Sequence, residues 1–313
     1  MVTKTADLPF NAQHLDTWEK EGGVLIEDFF SPNEVQAVAA DFARVFDNTI
    51  TRDKPGKIPA KATSPDKPPS FHPKQFKNFA AIPFDCSPAL NLIGVHPALM
   101  AFARAALKTP NIHLYQCQAW AKFTGEADYN QPLHCDFANH TLTVPSENAA
   151  KNSVTILCYF SDVSEAHGPM HYVTRTDSAA VAGPEAAFSA DPDLQEKLLP
   201  LCRSSAAPAG SIFPYGIDVY HRGTNLTASK GHRYAVMACF KAAGNDRISY
   251  HAWPFHHTQP WANIFDYATP DQLTCFGVAP PGDAFWTQVS LDRAQVRYPN
   301  WDLTPYRVAI HKP

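Results

Sequence analysis

The residues best suited to chemistry are two histidines and an aspartate. His134 and Asp136 stand two apart, and His221 follows 85 residues after the aspartate. Side chains two apart on a strand point to the same face, so His134 and Asp136 can bind one ion together. Two imidazoles and one carboxylate on one face of Fe(II) leave three positions open for other ligands. The pattern therefore predicts a mononuclear iron centre, with His221 brought to it from a distant part of the chain.

An arginine stands 12 residues after His221, at position 233. A guanidinium stays charged at physiological pH and can donate two parallel hydrogen bonds to a carboxylate. We therefore expect Arg233 to bind a carboxylate co-substrate near the metal. His232, the preceding residue, is a rival for this role, and Arg233 is preferred because a guanidinium is always charged and is forked to fit a carboxylate. Arg222 is assigned no role in the site.

The chain contains a second His-x-Asp motif, which serves as an internal comparison. His14 and Asp16 lie in a polar stretch, 11–21, that has the character of a short helix. Residues two apart on a helix point in different directions, so this copy is not expected to bind a metal. The motif at His134 precedes residues that favour strands, and it belongs to a longer ordered set.

Composition limits the class of protein. The 313 residues are 45% hydrophobic and 18% charged, with a net charge of −4, as in ordinary soluble globular proteins. Nothing in this balance indicates nucleic acid as a partner, and no apolar run approaches the ~20 residues that span a bilayer. Residues 1–21 lack an apolar signal core. The seven cysteines are scattered and odd in number, which is typical of a protein in a reducing cytoplasm. They form no Cys-x-x-Cys motif, which argues against a structural zinc site.

Helices are expected mainly in the first third of the chain. Residues 11–21 predict a helix that stops at Gly22 and Gly23, and residues 24–30 predict a strand. Ser31 and Glu34 form a capping box that begins a helix running to about residue 47. A further helix begins at Pro97 and ends near residue 107.

Residues 51–77 fit no regular element. They contain six prolines, with seven basic and two acidic residues, a net charge of +5. Long loops inside domains are often lids or disordered segments. A solvated excursion is one interpretation. The sharper hypothesis is a basic flap, carrying Lys54, Lys57, Lys61 and Lys67, that covers an anionic substrate.

From residue 112 onward the pattern favours strands. They are expected at 112–124, 132–137, 153–161, 169–174, 211–213, 217–221 and 233–242. Many short strands separated by turn signals are typical of a β-sandwich or barrel. Residues 251–313 contain four of the six tryptophans and are expected to form short helices and loops packed on the β core. His256 and His257 are interpreted as surface or pocket wall.

Several motifs occur in an order that resembles the phytanoyl-CoA dioxygenase family of Fe(II)/2-oxoglutarate oxygenases, with a pattern like that of ectoine hydroxylase. The resemblance covers about residues 15–243 and is carried by 24–30 with the capped helix, Lys122-Phe123-Thr124-Gly125, His134-x-Asp136, Ser161-Asp162-Val163, Gly168-Pro169-Met170, 209–213, and His221-Arg222-Gly223-Thr224-Asn225 with Arg233. Two features depart from the family pattern. Arg233 lies one residue further from His221 than is usual, and the family's common Pro-Gly-Ser-His after the Gly-Pro turn is replaced by residues 173–177.

The resemblance implies a role for each matching residue. His134, Asp136 and His221 match the iron ligands, and Arg233 matches the residue that pairs with the distal carboxylate of 2-oxoglutarate. Thr224 matches a hydroxyl position near that carboxylate. Gln116, six residues before Lys122, matches a polar strand residue that contacts the co-substrate in ectoine hydroxylase.

The resemblance also implies an overall architecture and a chemistry. The fold is expected to be mainly β with flanking helices, built on a double-stranded β-helix (jelly-roll, cupin-like) core. One domain, 1–313, is expected to hold N-terminal helices (11–107), the core (about 112–243) and an aromatic extension (251–313). The implied enzyme uses Fe(II), 2-oxoglutarate and O₂ to hydroxylate a small organic molecule in the cytoplasm. The alternatives are a cupin-like isomerase, a 2-oxoglutarate-independent dioxygenase and a non-enzymatic binding protein.

Overall fold

A computed structural model of the chain describes residues 8–46, 77–126, 130–140, 153–189, 191–245 and 260–310. The proposed basic flap, except for Lys77, lies outside these residues, as do His256 and His257. The helices are α1 (Ala12–Glu21), α2 (Pro32–Phe46), α3 (Pro88–Asn91), α4 (Pro97–Leu107), α5 (Phe137–His140), α6 (Arg175–Ala182), α7 (Leu194–Leu198), α8 (Ala262–Phe265), α9 (Pro270–Cys275), α10 (Gln288–Arg297) and α11 (Thr304–Ile310). The strands are β1 (Phe79–Ala81), β2 (Ile112–Phe123), β3 (Ser153–Tyr159), β4 (Met170–Tyr172), β5 (Arg203–Ser204), β6 (Ile212–Tyr215), β7 (His221–Gly223) and β8 (His232–Ala242).

Two antiparallel sheets form the core of the structure. The larger has the order β1-β2-β8-β3-β6, and the smaller has the order β5-β4-β7. In the larger sheet, β2 and β8 are paired along nearly their whole length, from Ile112 opposite Ala242 to Phe123 opposite His232. This long pairing fixes which side chains of the two strands share a face.

The two faces of the larger sheet pack against different partners. One face, with residues such as Leu114, Val154 and Phe240, packs into a cluster with the helices. The other face, with residues such as Leu157 and Phe213, packs into a cluster with the smaller sheet. β3 is buried at every position because it is covered on both sides, which explains its nearly continuous apolar sequence.

Helices hold more of the described residues than strands do, so the expectation of a mainly β chain is not confirmed. The core is rich in sheet, as expected, and helices flank it. Many of the helical residues lie toward the two ends of the chain. Helices α1, α2 and α4 cover one face of the larger sheet, and α8–α11 extend that helical layer. The predicted helices are confirmed. Asn11 caps α1, Gly22 ends it with a φ of 81°, and Ser31 and Glu34 form the expected capping interactions.

Three predicted strands differ from the structure. Residues 24–30 run beside β6 but pair only at isolated bridges, and Asp28 has a φ of 52° that interrupts extended backbone. Residues 132–137 form a single bridge at His134 before α5 begins. In the segment 217–221 the strand begins only at His221, because the preceding residues form the turn that leads into β7.

The C-terminal helices pack on the helical face of the larger sheet through α8 and α9. Asn263 donates to the Phe84 carbonyl at 2.9 Å, and Gln272 donates to the Val95 carbonyl at 3.1 Å. Stacked and edge-on rings, including Phe265 on Tyr298, then hold α10 and α11. The expected packing of short helices onto the core is present. All seven cysteines are free thiols, and no described helix has the length and apolar character needed to cross a membrane.

Candidate active site

His134 and His221 lie directly opposite each other on adjacent backbone segments. The His134 amide donates to the His221 carbonyl at 3.0 Å, and the His221 amide donates to the His134 carbonyl at 2.9 Å. Asp136, two residues on, projects to the same place. Its Oδ1 lies 3.8 Å from His134 Nε2 and 3.4 Å from His221 Nε2. One donor atom from each residue lies within 4.8 Å of the other two, so the predicted triad does converge.

Both imidazoles are held with Nε2 toward the centre of the triad. His134 Nδ1 lies 3.0 Å from the Pro132 carbonyl, and His221 Nδ1 lies 2.9 Å from the Val219 carbonyl. A carbonyl only accepts hydrogen bonds, so each Nδ1 must carry the proton. Each Nε2 is then a lone-pair donor when the ring is neutral, which is the arrangement that metal-ligating histidines use.

The carboxylate of Asp136 has a hydrogen-bond donor on its other oxygen. The hydroxyl of Tyr215 donates to Oδ2 at 3.1 Å, and both residues are buried. Burial, followed by the proximity of Asp136, raises the pKa of Tyr215, so the hydroxyl keeps its proton and remains a donor. Asp136 is thereby oriented with Oδ1 facing the two imidazoles.

The pKa of each triad residue depends on the charge of at least one of the others. Burial lowers the pKa of His134 to about 4, and His221 adds to this effect, so His134 is neutral at neutral pH. Burial also opposes the charged forms of Asp136 and His221, but their mutual attraction prevails. It lowers the pKa of Asp136 and raises the pKa of His221. An anionic carboxylate between two imidazoles is a site that favours a cation.

The donor set fits Fe(II). Two imidazole nitrogens and one carboxylate oxygen form the facial triad of non-haem iron sites. The two measured separations from Asp136 are compatible with donors that each bond one ion at about 2.1 Å. All three triad residues line one cavity. His134 is the most exposed of their side chains, at 19%.

Arg233 faces the same cavity as the triad. It lies in β8, is only 3% exposed, and stacks its guanidinium 4.7 Å from the ring centre of Trp120. One guanidinium nitrogen also donates to the Gly168 carbonyl. His232, the rival by spacing, points to the opposite face of the strand, where its ring stacks on Tyr234 at 4.0 Å. The alternation of side chains along β8 therefore separates the two candidates.

Lys122 is a second buried cation beside Arg233, and the sequence analysis gave it no role. It lies opposite Arg233 in the β2–β8 pairing, and its Nζ lies 4.7 Å from the Trp120 ring centre. It donates to the carbonyl of Thr224 at 3.2 Å. The Thr224 hydroxyl is itself used in a 2.6 Å hydrogen bond to the Pro169 carbonyl, and Thr224 lies behind the cavity wall.

The cavity has a volume of about 460 Å³ and extends from Arg233 past the triad. Its polar and apolar walls include Gln118, Trp120, Gln131, His140, Leu157 and Met237. Gln116 is at the end remote from Arg233. It stands six residues from Lys122 along β2, which corresponds to roughly 20 Å of strand.

Sequence reasoning missed Tyr215, Lys122 and His140. The hydroxyl of Tyr115 lies 2.7 Å from Nδ1 of His140, and both residues are buried next to the triad. Lys122 had a usable signal, because it shares the face of Gln116, Gln118 and Trp120 by period-two alternation. Tyr215 and His140 had none, since their roles depend on contacts that span large distances in sequence.

The fold and the triad together define a mononuclear metal centre in a two-sheet core. Comparison of the sequence with known protein families identifies the family. The model of the family described as phytanoyl-CoA dioxygenase matches residues 18–229, which is more than half of the chain. The chain belongs to this family, and it is a non-haem iron, 2-oxoglutarate-dependent oxygenase. The match ends before Arg233. No curated protein sequence is significantly similar to the chain.

Solved structures share the fold at low sequence identity. The non-heme, alpha-ketoglutarate-dependent carbocyclase SnoK from nogalamycin biosynthesis is 17% identical, with a TM-score of 0.53 over 80% of this chain and 90% of that one. HygX from Streptomyces hygroscopicus, solved with nickel and 2-oxoglutarate, is 16% identical, with a TM-score of 0.51 and coverages of 76% and 89%. EctD from S. alaskensis, solved with 2-oxoglutarate and 5-hydroxyectoine, is 14% identical, with a TM-score of 0.52 and coverages of 78% and 80%.

Proposed function

We propose that this enzyme hydroxylates a small organic molecule and converts 2-oxoglutarate to succinate and CO₂. The observation that carries the proposal is the convergence of His134, Asp136 and His221, with both Nδ1 atoms bound to carbonyls. Bound by this triad, Fe(II) supplies the site at which O₂ oxidises 2-oxoglutarate and the substrate. The protein supplies the ligand geometry, the charge of Asp136 and a cavity of limited access.

The co-substrate is proposed to bind with its distal carboxylate at Arg233. The guanidinium is buried, borders the cavity, and is held by Trp120 and the Gly168 carbonyl. Lys122 increases the positive potential at this end. Thr224 is proposed to hold the backbone after β7 in place, because its hydroxyl donates to the Pro169 carbonyl and its carbonyl accepts from Lys122. A contact between Thr224 and 2-oxoglutarate stays a prediction.

Gln116 is proposed to face the substrate instead of 2-oxoglutarate. A five-carbon dicarboxylate bound at Arg233 and at the metal is much shorter than the roughly 20 Å of strand between Lys122 and Gln116. The amides of Gln116 and Gln118 are joined by a hydrogen bond and border the cavity beyond the triad. This position suits recognition of a substrate.

The test is to add Fe(II) and then 2-oxoglutarate anaerobically and to record the weak visible charge-transfer band of the chelate. Appearance of the band, followed by succinate formation in air, is the expected result. Mass spectrometry of the product then separates hydroxylation, which adds one oxygen atom, from ring closure by loss of two hydrogens. Ring closure is considered because SnoK is described as a carbocyclase.

Two alternatives from other classes make different predictions. A cupin-like isomerase or a dioxygenase independent of 2-oxoglutarate would bind metal without forming the chelate, and would leave buried Arg233 and Lys122 without an anionic ligand to bind. A non-enzymatic binding protein would form no succinate. Failure of the band with intact metal binding would favour the first alternative.

The organisation of the chain is also proposed. Residues 1–313 form one domain in which the two facing antiparallel sheets are a double-stranded β-helix core. The hydrogen bonds from α8 and α9 to the N-terminal half support a single unit. A cytoplasmic location is proposed because all seven cysteines are free thiols. An anionic substrate stays a hypothesis, since it rests on residues 51–77.

A further inference from the structure

A second, smaller space borders the catalytic cavity at its Gln116 end. This space, the edge passage, has a volume of about 220 Å³ and shares Gln116 and Gln118 with the catalytic cavity. Its other walls include Ala81 at the end of β1 and two aromatic rings, Trp261 and Phe276. The passage therefore lies between the inner face of the larger sheet and the C-terminal helices.

The strand pairing explains why an opening exists at this place. β1 ends at Ala81, opposite Gln118, whereas β2 extends back to Ile112. After the Ala81–Gln118 pair, one more hydrogen bond joins the two segments, from the Ile82 amide to the Cys117 carbonyl. On the other side of β2, its pairing with β8 is irregular between Leu114 and Gln116. A sheet edge left by a short strand, next to a bulge, gives room for a ligand to pass from one face of the sheet to the other.

Beyond the passage lies a larger space between the C-terminal helices. This C-terminal compartment has a volume of about 470 Å³ and shares Trp261 and Phe276 with the passage. Its walls are mostly aromatic and aliphatic, including Phe265, Trp286, Tyr298 and Trp301. Pockets that bind small molecules are lined in this way, and flat rings stack well on aromatic walls.

Two residues that border the passage carry a buried polar atom. Gln116 Oε1 is an acceptor and Trp261 Nε1 is a donor. Within the part of the chain that the structure describes, neither atom has a hydrogen-bond partner. A buried polar group without a partner is costly, and native structures contain few of them. A donor and an acceptor on two side chains that border one passage are suited to a polar ligand.

We propose that the C-terminal compartment binds the apolar, ring-containing part of an elongated substrate whose reactive carbon lies at the triad. The substrate would pass through the edge passage, with a hydroxyl, amide or similar group between Gln116 and Trp261. The inference rests on the proposed function, because it extends the substrate site of that reaction. It also explains the position of the passage, which opens at the end of the cavity opposite Arg233.

The direct test uses anilinonaphthalene sulfonate as the probe, with its fluorescence measured against the intact protein. Ala294 lines the compartment, and Ala294→Trp would occupy part of it. Val296 lies on the same helix, α10, but is 83% exposed, so Val296→Trp adds the same ring outside the compartment. At least tenfold weaker probe binding is expected for Ala294→Trp, with wild-type binding for Val296→Trp. Equal effects of the two variants would overturn the proposal.

A second measurement avoids dependence on the folding of Ala294→Trp. The wild-type protein is loaded with Mn(II) or, as a diamagnetic control, with Zn(II), and the NMR relaxation of the probe's ring protons is recorded. Faster relaxation with Mn(II) is expected, because its unpaired electrons relax nearby protons through space and the proposal places the probe near the triad. Equal relaxation with both metals would place the probe far from the triad and refute the proposal.

Failure of this inference is distinguishable from failure of the proposed function. The Fe(II) and 2-oxoglutarate band is measured without the probe on the wild-type protein, and the exposed control Val296→Trp should leave that band and substrate-free turnover of 2-oxoglutarate unchanged. A normal band with negative probe results rejects the compartment alone. Absence of the band in the wild-type protein rejects the oxygenase proposal and, with it, the assignment of the probe site to a substrate.

Discussion

The two ends of the catalytic cavity use different kinds of polar group. At one end, Arg233 and Lys122 are buried cations on either side of the β2–β8 pairing, and both approach the ring of Trp120. At the other end, the neutral amides of Gln116 and Gln118 lead into the edge passage. The triad lies between them. A small dianion needs concentrated positive charge, whereas a larger neutral or apolar molecule needs hydrogen-bonding groups and space.

The same contrast appears in how firmly each end is held. Arg233 is fixed by the Gly168 carbonyl and by Trp120, and Lys122 is fixed by the Thr224 carbonyl. At the amide end, Gln116 Oε1 has no hydrogen-bond partner among the described residues. The cations of the charged end are therefore preorganised for one ligand.

The largest expected effect removes the group between the two ends. Asp136→Ala deletes one of three proposed ligands and the only carboxylate of the triad, so Fe(II) affinity should fall by more than the roughly 10- to 100-fold typical of losing a supporting residue. Isothermal titration with Mn(II) measures this loss. The control is Asp16→Ala, in the exposed His-x-Asp copy on α1, which should bind metal as the wild type does. Equal metal binding by the two variants would disprove the assignment of Asp136.

The next largest effect distinguishes binding of 2-oxoglutarate at the charged end from binding of the metal at the triad. Arg233→Ala should raise the 2-oxoglutarate requirement by roughly 30- to 1,000-fold, because a charge-assisted bidentate contact is worth about 2–4 kcal/mol. Metal binding should be retained, since Arg233 is not part of the triad. His232→Ala is the matched control, one residue away on the opposite face of β8, and should leave the requirement unchanged. If His232→Ala had the larger effect, the roles of these two residues would be reversed.

A smaller effect is expected for the hydroxyl that supports Asp136. Tyr215→Phe removes the 3.1 Å hydrogen bond to Oδ2 but keeps the ring, so metal affinity should fall roughly tenfold, with about 1–3 kcal/mol lost from the free energy of unfolding. Tyr159→Phe is the control. It removes an equally buried hydroxyl that is bound to Ser205 at 2.8 Å, and it should not alter metal affinity. A loss of metal affinity in both variants would indicate a general packing effect.

The smallest effect tests the comparison itself. Gln116→Leu at the amide end should change the 2-oxoglutarate requirement by less than about twofold, because Gln116 is roughly 20 Å of strand away from Lys122. The measurement is succinate formation against 2-oxoglutarate concentration without substrate. A tenfold increase in the requirement would return Gln116 to the co-substrate, as the family resemblance implies, and would remove the distinction between the two ends.

The sequence by itself determined the local features of this protein. The cap at Ser31, the stop at Gly22 and the helix beginning at Pro97 depend on neighbouring residues, and all were predicted correctly. The identity of the three triad residues also followed from the sequence, because few side chains bind Fe(II) and their order along the chain matched a known family.

Only the tertiary structure decided which distant residues meet. The position of His134 opposite His221 depends on strand register, and so does the placement of Arg233, instead of His232, beside the cavity, because a shift of one residue exchanges the faces. The contacts of Tyr215 with Asp136 and of Tyr115 with His140 join segments remote in sequence, and no local pattern encodes them. The end of β1 at Ala81, and with it the edge passage, has the same origin. Local propensity fixes single elements, whereas register and packing fix the spaces between them.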